Sequence, residues 1–518
     1  MKETENPEMF QAHQDSFQDL VKAWKNNRFQ NLKPSDVFFP SSVKGFIGIC
    51  FLAAISFFSF LLFWELWVSR FHFHPHIFIH TPTTSELKIT SHGGGHRRQP
   101  TNISHILFGI SGSAGTWDAR RHYCEVWWKP GVMRGFVWLD QPPPENETWP
   151  ETSPRFRVSQ NTSRFQYTCP YGSRAAVRIA RIVKESFELG MENVRWFVMG
   201  DDDTVFFPEN LVTVLSKYDH RQMYYIGSHS ESVEQAEVHS YGMAYGGGGF
   251  AISYPLAAEL VRVLDGCIDR YAELYGSDQK IAGCMTELGV PLTKELGFHQ
   301  MDIRRDPYGL LAAHPVAPLV SLHHLEYVES LFPYKSHDES VRKLVEAYKA
   351  DPARTLQLTF CYDLRRNWSI SIAWGYTVQL YPKLVYAKDL GTPFLTFSTW
   401  KSWADGPFTF NVREMSWDPC ERPLVFYLDS VGGLGDGSTV TNYTRSGVVG
   451  GDKCGKDEYK PALMVQSFNV SAQVLSPDIW KKAPRRQCCD VVDDGNGMGG
   501  VVQVKVRGCN RWDSVTPP

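Results

Sequence analysis

Three adjacent carboxylates, Asp201, Asp202 and Asp203, close the apolar run Trp196-Phe197-Val198-Met199 and its following Gly200. The run reads as a buried strand, and in an α/β sheet ligands bind beyond the carboxyl ends of strands. Three neighbouring carboxylates repel one another, yet alternate side chains can converge on one cation. Hard oxygen ligands suit Mg²⁺ or Mn²⁺. Such a cation bridges the phosphates of a nucleotide diphosphate and stabilises the charge that builds on it as a leaving group. An acidic surface turn is the plainer reading of Asp-Asp-Asp. The apolar residues on both sides, resuming at Thr204-Val205-Phe206-Phe207-Pro208, favour the metal.

Two further groups could meet a nucleotide. Gly246 to Gly249 permit close backbone approach by a substrate, or form a flexible turn. Arg120 and Arg121 follow the loop after an earlier strand and could meet a diphosphate or base. They serve equally as the solvated start of a helix.

The elements that must position these residues alternate strand and helix. Ile106 to Ile110 read as a buried strand ending in Ser-Gly-Ser-Ala-Gly, and Gly135 to Leu139 as a second strand ending at Asp140. Between Ser173 and Leu189, Ala176, Ile179, Ala180, Val183 and Phe187 fall on one helical face. Arg195 to Met199, Tyr224 to Gly227 and Phe250 to Ser253 are further strands. This alternation implies an α/β sheet with covering helices. From about residue 345 helical periodicity weakens and short β-rich runs appear, at Gln357 to Tyr362, Ser369 to Ala373 and Leu424 to Tyr427. Residues 345–518 read as a separate or appended β-rich region.

Trp196 to Thr204, then Tyr245-Gly246-Gly247-Gly248-Gly249-Phe250-Ala251-Ile252-Ser253, then His323-His324-Leu325-Glu326 resemble the ordered blocks of Fringe-like glycosyltransferases, within glycosyltransferase family 31. The wording between blocks is most similar to plant Fringe-related proteins long labelled a domain of unknown function. The resemblance covers roughly residues 105–335. It implies a GT-A fold over 105–344, a UDP-sugar donor, Mn²⁺ (or Mg²⁺), and inversion at the anomeric carbon with a β-1,3 linkage. It puts the metal on Asp203 with Asp201 and Asp202 near the nucleotide, and Gly247 and Gly248 against the donor. It implies a histidine ligand after the core, best matched by His324 and next by His323. Inversion needs one base for the acceptor hydroxyl, and the resemblance implies Asp278, in Tyr275-Gly276-Ser277-Asp278-Gln279. Asp278 also suits a helix N-cap. Asp302 is an acidic candidate without a role.

Before these blocks, residues 1–44 read as a polar cytosolic tail and 69–104 as a stem. Gly45 to Val68 is an apolar stretch whose one ionisable residue is Glu65. As a helix it spans roughly 36 Å, against about 30 Å of bilayer core. Lys22, Lys25, Arg28, Lys33 and Lys44 precede it and only Arg70 closely follows, which places the N-terminus in the cytosol and the rest in the lumen. Six sequons, at Asn102, Asn146, Asn161, Asn367, Asn442 and Asn469, all follow the stretch. Ten of the 11 cysteines also follow it, so disulfides are expected there. Cys124–Cys169 and Cys267–Cys284 are the pairs that proximity suggests.

The 518 residues carry 53 basic and 56 acidic side chains, net −3, without the basic stripe of a nucleic-acid binder. The expectation is a Golgi type II membrane enzyme passing a hexose or N-acetylhexosamine from a UDP-sugar to a glycan or glycoprotein. The other class the sequence allows is an inert lumenal lectin or a partner of other transferases. A two-metal phosphodiesterase would need more carboxylates and histidines at strand ends than are found.

Overall fold

The strands of the first half are short and lie between helices. A computed structural model describes residues 100–516 except 145–147, 448 and 493–499. The apolar segment 45–68, the stem and Asn146 lie outside the described residues. Among those described, no helix is long and apolar enough to cross a membrane.

The first eleven strands are β1 (Ile106–Ser111), β2 (Arg134–Leu139), β3 (Arg155–Val158), β4 (Trp196–Asp201), β5 (Val205–Phe206), β6 (Tyr225–Gly227), β7 (Phe250–Ser253), β8 (Leu292–Lys294), β9 (Phe298–His299), β10 (Ile303–Arg305) and β11 (Ser321–Leu322). The helices that matter most are α1 (Trp117–Glu125), α2 (Ala175–Phe187), α3 (Tyr254–Arg270), α4 (Ser277–Glu287) and α5 (His337–Ala350). Seven strands make one sheet in the order β3-β2-β1-β4-β7-β6-β8. Its first four strands are mutually parallel, while β7 runs against both β4 and β6.

Pleating divides the sheet's side chains between two cores. Leu107, Phe197 and Met199 point into one with Val177 and Val183 of α2 and Leu256 and Leu260 of α3. Ile106, Phe108, Trp196 and Val198 point into the other, beside Trp127 and Phe206. Cys267–Cys284 joins α3 to α4, as expected. Cys124–Cys169 does not form: both thiols are free. Cys124 is buried in α1, with its Sγ 3.5 Å from the Asp202 carbonyl oxygen that accepts from it.

The β-rich character after 345 is present, and more continuous than its short runs suggest. β12 (Leu358–Asp363), β13 (Trp368–Ala373), β14 (Thr377–Tyr381), β16 (Leu424–Leu434), β17 (Ser438–Ser446), β18 (Ser467–Gln473), β19 (Cys488–Val492) and β20 (Val501–Arg507) form one eight-stranded sheet; β15 (Phe397–Thr399) lies apart from it. The edge strands β12 and β19 are brought together by a bridge between Thr359 and Gln487 and by the disulfide Cys361–Cys489. Cys420–Cys454 and Cys488–Cys509 complete the disulfides among described residues.

Residues 100–518 belong to one compact unit. The boundary read at 344/345 falls inside α5. A single apolar core runs from Phe108 under the first sheet to Phe426 and Phe468 in the second. β15 leaves the C-terminal region to pair with β10, Arg304 opposite Ser398.

Candidate metal and substrate site

Strand order reverses between β1 and β4, and this is where a parallel sheet opens a crevice at its carboxyl end. Asp201, the last residue of β4, pairs with Ser111, the last of β1. The acid triplet therefore sits at that crevice. Asp201 and Asp278 both line a narrow cleft with Gly246 and Ser277.

A small sheet brings together a candidate set of metal donors. β5 begins two residues after Asp203, β11 ends immediately before His323, and the two strands pair with Val205 opposite Leu322. His323 Nε2 consequently lies 3.0 Å from Asp203 Oδ1 and 3.9 Å from Asp201 Oδ2. One ligand atom from each of Asp201, Asp203 and His323 lies within 4.8 Å of the others. This corrects the preference for His324. Its backbone is left-handed, at φ 52°, and turns its ring toward Asp302, with Nδ1 3.3 Å from Asp302 Oδ1.

The Gly-rich block packs directly on this cluster. Thr204 Oγ1 donates to the Gly247 carbonyl at 2.7 Å and accepts from the Asp201 N–H at 2.8 Å. Gly248 N–H donates to Gln300 Oε1 at 2.6 Å. Gly247 is needed for space, since a Cβ there would overlap the His323 imidazole. Gly247 and Gly248 thus serve the architecture of the cluster.

The carboxylates are electrically unequal. Asp203 is 2 % exposed, and its Oδ1 faces the His323 imidazole. Burial would raise its pKa, but the charge and proximity of His323, then His324 and Arg120, hold it below the usual carboxylate range. Burial lowers the His323 pKa, yet Asp203 and Asp201 outweigh it and raise it to about 9. Asp202 is pushed up to about 7 by burial and by Asp203. Burial also pushes Asp201 up to about 6, against His323. A third of the Asp201 side chain still faces the cleft, so water offsets part of that push. His324 falls to about 4 through burial and then the His323 charge.

Two carboxylates and one imidazole with ligand atoms within 4.8 Å of one another fit a divalent cation, which would take the place of the proton between His323 and Asp203. Asp201, Asp203 and His323 are the residues that would hold it.

Arg120 joins the cluster and Arg121 does not. Arg120 Nη1 lies 3.5 Å from Asp202 Oδ1 and 3.6 Å from Asp203 Oδ2, and Nη2 pairs with Glu326. Arg121 turns away to Asp118 at 3.1 Å and Glu125 at 2.9 Å. It lines a separate hollow of about 220 Å³ beyond the ends of β1 and β2, with Trp117, Leu139 and Trp149. Asp278 is at the second helical position of α4, after the cap residue Gly276. Its Oδ2 accepts from Gly246 N–H at 3.3 Å and its Oδ1 from Gln279 N–H at 2.9 Å. Burial raises its pKa, partly countered by His239. Asp302 is buried and accepts from Ser230 Oγ at 2.6 Å.

Three residues at the site went unread in the sequence. Glu326 and Tyr327 hold Arg120, the tyrosine hydroxyl 3.4 Å from Nη2. The His324 ring stacks on Trp400, 4.2 Å between centroids and 4° between planes. Glu326 lay within the quoted His-His-Leu-Glu block; nothing local marks Trp400.

A family model described as "Protein of unknown function, DUF604" matches residues 235–489. The match includes Gly247, Asp278, His323 and Trp400 but starts after the acid triplet. No curated protein matches the chain. Among solved structures, one similar chain is described as a glycosyltransferase involved in the glycosylation of the major capsid of PBCV-1. The two are 15% identical, the match covers 45% of this chain and 96% of that one, and the TM-score is 0.24. A score that low carries no argument for this chain.

Proposed function

We propose that this protein is a metal-dependent glycosyltransferase of GT-A type that uses a UDP-sugar. The observation that carries the reading is the convergence of Asp201, Asp203 and His323 at the strand-order reversal. When bound there, a divalent cation supplies neutralisation of the diphosphate that departs. Arg120, held over Asp202 and Asp203, adds a fixed positive charge on the same side. The hollow beside Arg121 and Trp117 has room for the base. Asp278, with a raised pKa at the cleft, is the group that takes the acceptor's proton. Four disulfides and the sequons after 100 support a lumenal, Golgi-type setting with residues 45–68 as anchor.

The test is release of UDP from UDP-Gal, UDP-GlcNAc, UDP-GalNAc and UDP-Glc by the full chain, with and without Mn²⁺. The expected result is release from at least one donor, dependent on Mn²⁺ and lost in Asp203→Ala. If no donor is turned over, or Asp203→Ala retains the rate, the reading fails and a lectin or partner role takes its place.

A further inference from the structure

The strongest feature outside the acid cluster is a pile of flat side chains leading away from it. The His323 ring centre lies 3.7 Å from that of His324, which lies 4.2 Å from that of Trp400. The Arg304 guanidinium is 3.8 Å from the Trp400 ring centre and 5.1 Å from that of Trp403. It also lies 4.8 Å from the ring of Tyr327, the residue whose hydroxyl meets Arg120. An unbroken set of layers thus joins a metal donor to an indole contributed by the C-terminal region.

The inner layers are buried and the last one is open. Arg304 is 8 % exposed, held in place by the β10–β15 pairing. Trp403 is 46 % exposed. Its backbone is left-handed, at φ 57°, a conformation that disfavours any residue with a Cβ. An indole kept at the surface in such a backbone, and fixed from below by a cation, is placed for a contact rather than for packing.

Charged and polar groups lie along the inner end of the stack. Asp302, at 3 % exposure, lies within electrostatic reach of Lys401, His239 and Tyr245. The Tyr245 hydroxyl is buried without a hydrogen-bond partner. His239 and Tyr245 in turn reach Asp278, on the acceptor side of the cleft. Aromatic faces carry negative charge density and attract the weakly positive C–H face of a pyranose.

We propose that Trp403, backed by Arg304 and Trp400, is the platform for a pyranose ring of the acceptor glycan, so that residues 400–403 determine which acceptor is used. This rests on the transferase reading for the word acceptor; glycan binding itself does not require catalysis.

The experiment is binding of the labelled full chain, in detergent and without donor or metal, to an array of defined oligosaccharides. Wild type, Trp403→Ala and Trp403→Tyr are compared, with thermal melting to show that each is folded. The expected result is that Trp403→Ala weakens binding about tenfold or more while Trp403→Tyr stays within about threefold. Wild type binding no oligosaccharide, or Trp403→Ala binding the same ones equally well, overturns the proposal. UDP release by wild type, measured alongside, judges the transferase reading separately: its absence with glycan binding intact removes that reading and leaves the platform.

Discussion

Val205 and Leu322 face each other in a two-residue antiparallel pairing, and that register sets Asp203 against His323. A shift of one residue would send the imidazole to the opposite face. The candidate donors Asp203 and His323 are therefore positioned by two-residue strands and buttressed by Gly247.

Substituting His323 and His324 in turn separates the two. His323→Ala is expected to weaken Mn²⁺ binding by on the order of 100-fold or more, since a direct donor is lost. His324→Ala is expected to weaken it by about tenfold or less, through loss of the stacked neighbour. Mn²⁺ titration followed by electron paramagnetic resonance measures both. Equal losses in the two variants would contradict the donor set.

Gly247→Ala should act like a partial His323 deletion. The added methyl must push the imidazole away, an overpacking cost of about 1–3 kcal/mol. Mn²⁺ affinity is expected to fall by about tenfold, with a lower melting temperature. Wild-type affinity in this variant would show that His323 does not need its observed place.

Behind the site, Glu231, His299 and His314 form a buried relay. His299 Nδ1 is 3.2 Å from Glu231 Oε1, His299 Nε2 is 3.0 Å from His314 Nε2, and His314 Nδ1 is 2.9 Å from the Pro315 carbonyl. The carbonyl only accepts, so His314 donates from Nδ1 and, when neutral, accepts at Nε2. Burial, then the charges of His299 and Arg486, put the His314 pKa well below its ordinary value. A depressed folded pKa gives stability that is full above the unfolded value, near 6.5, and is lost as pH falls below it. The melting temperature is expected to drop between pH 7.5 and 5.0, and to drop less in His314→Gln. Equal slopes would exclude His314 as the source.

Asn442 and Asn469 are register partners on β17 and β18, with Asn469 Nδ2 donating to Asn442 Oδ1 at 3.0 Å. Directly opposed residues have Cα atoms about 4.5–5.5 Å apart, far less than the width of two glycans. In protein from a secretory host, the fractional occupancies of these two sequons are expected to sum to no more than one. Isotope-tagged deglycosylation with peptide mass spectrometry reads both. A sum well above one in folded protein would refute the exclusion. Asn161 and Asn367 are exposed and carry no such restriction.

The legible parts of the site were those written in consecutive residues. The apolar run into Asp201-Asp202-Asp203 marked β4 and its carboxyl end, and the periodicity from Ala176 to Val183 marked α2. The phase of a two-residue strand was not legible, so the choice between His323 and His324 depended on a pairing with residues more than a hundred positions earlier. Trp400 reaches the site only because β15 crosses back to β10. The disulfides show the same limit. Cys267–Cys284 spans 17 residues and was read from proximity; Cys361–Cys489 spans 128 and was not. Cys124 looked available by the same reasoning, but α1 points its thiol into the floor beneath Asp202.

The last of the described strands along the chain, β20, inserts between β18 and β19 and runs parallel to β18. Order of manufacture and order of assembly therefore disagree in this half of the chain. β12 leaves the ribosome some 130 residues before the segment that covers its open edge, and must wait with unpaired backbone groups exposed. A premature stop between residues 480 and 487 would leave two such edges and an unmatched Cys361 thiol, so residues 487–507 act as the clasp on which escape from aggregation depends.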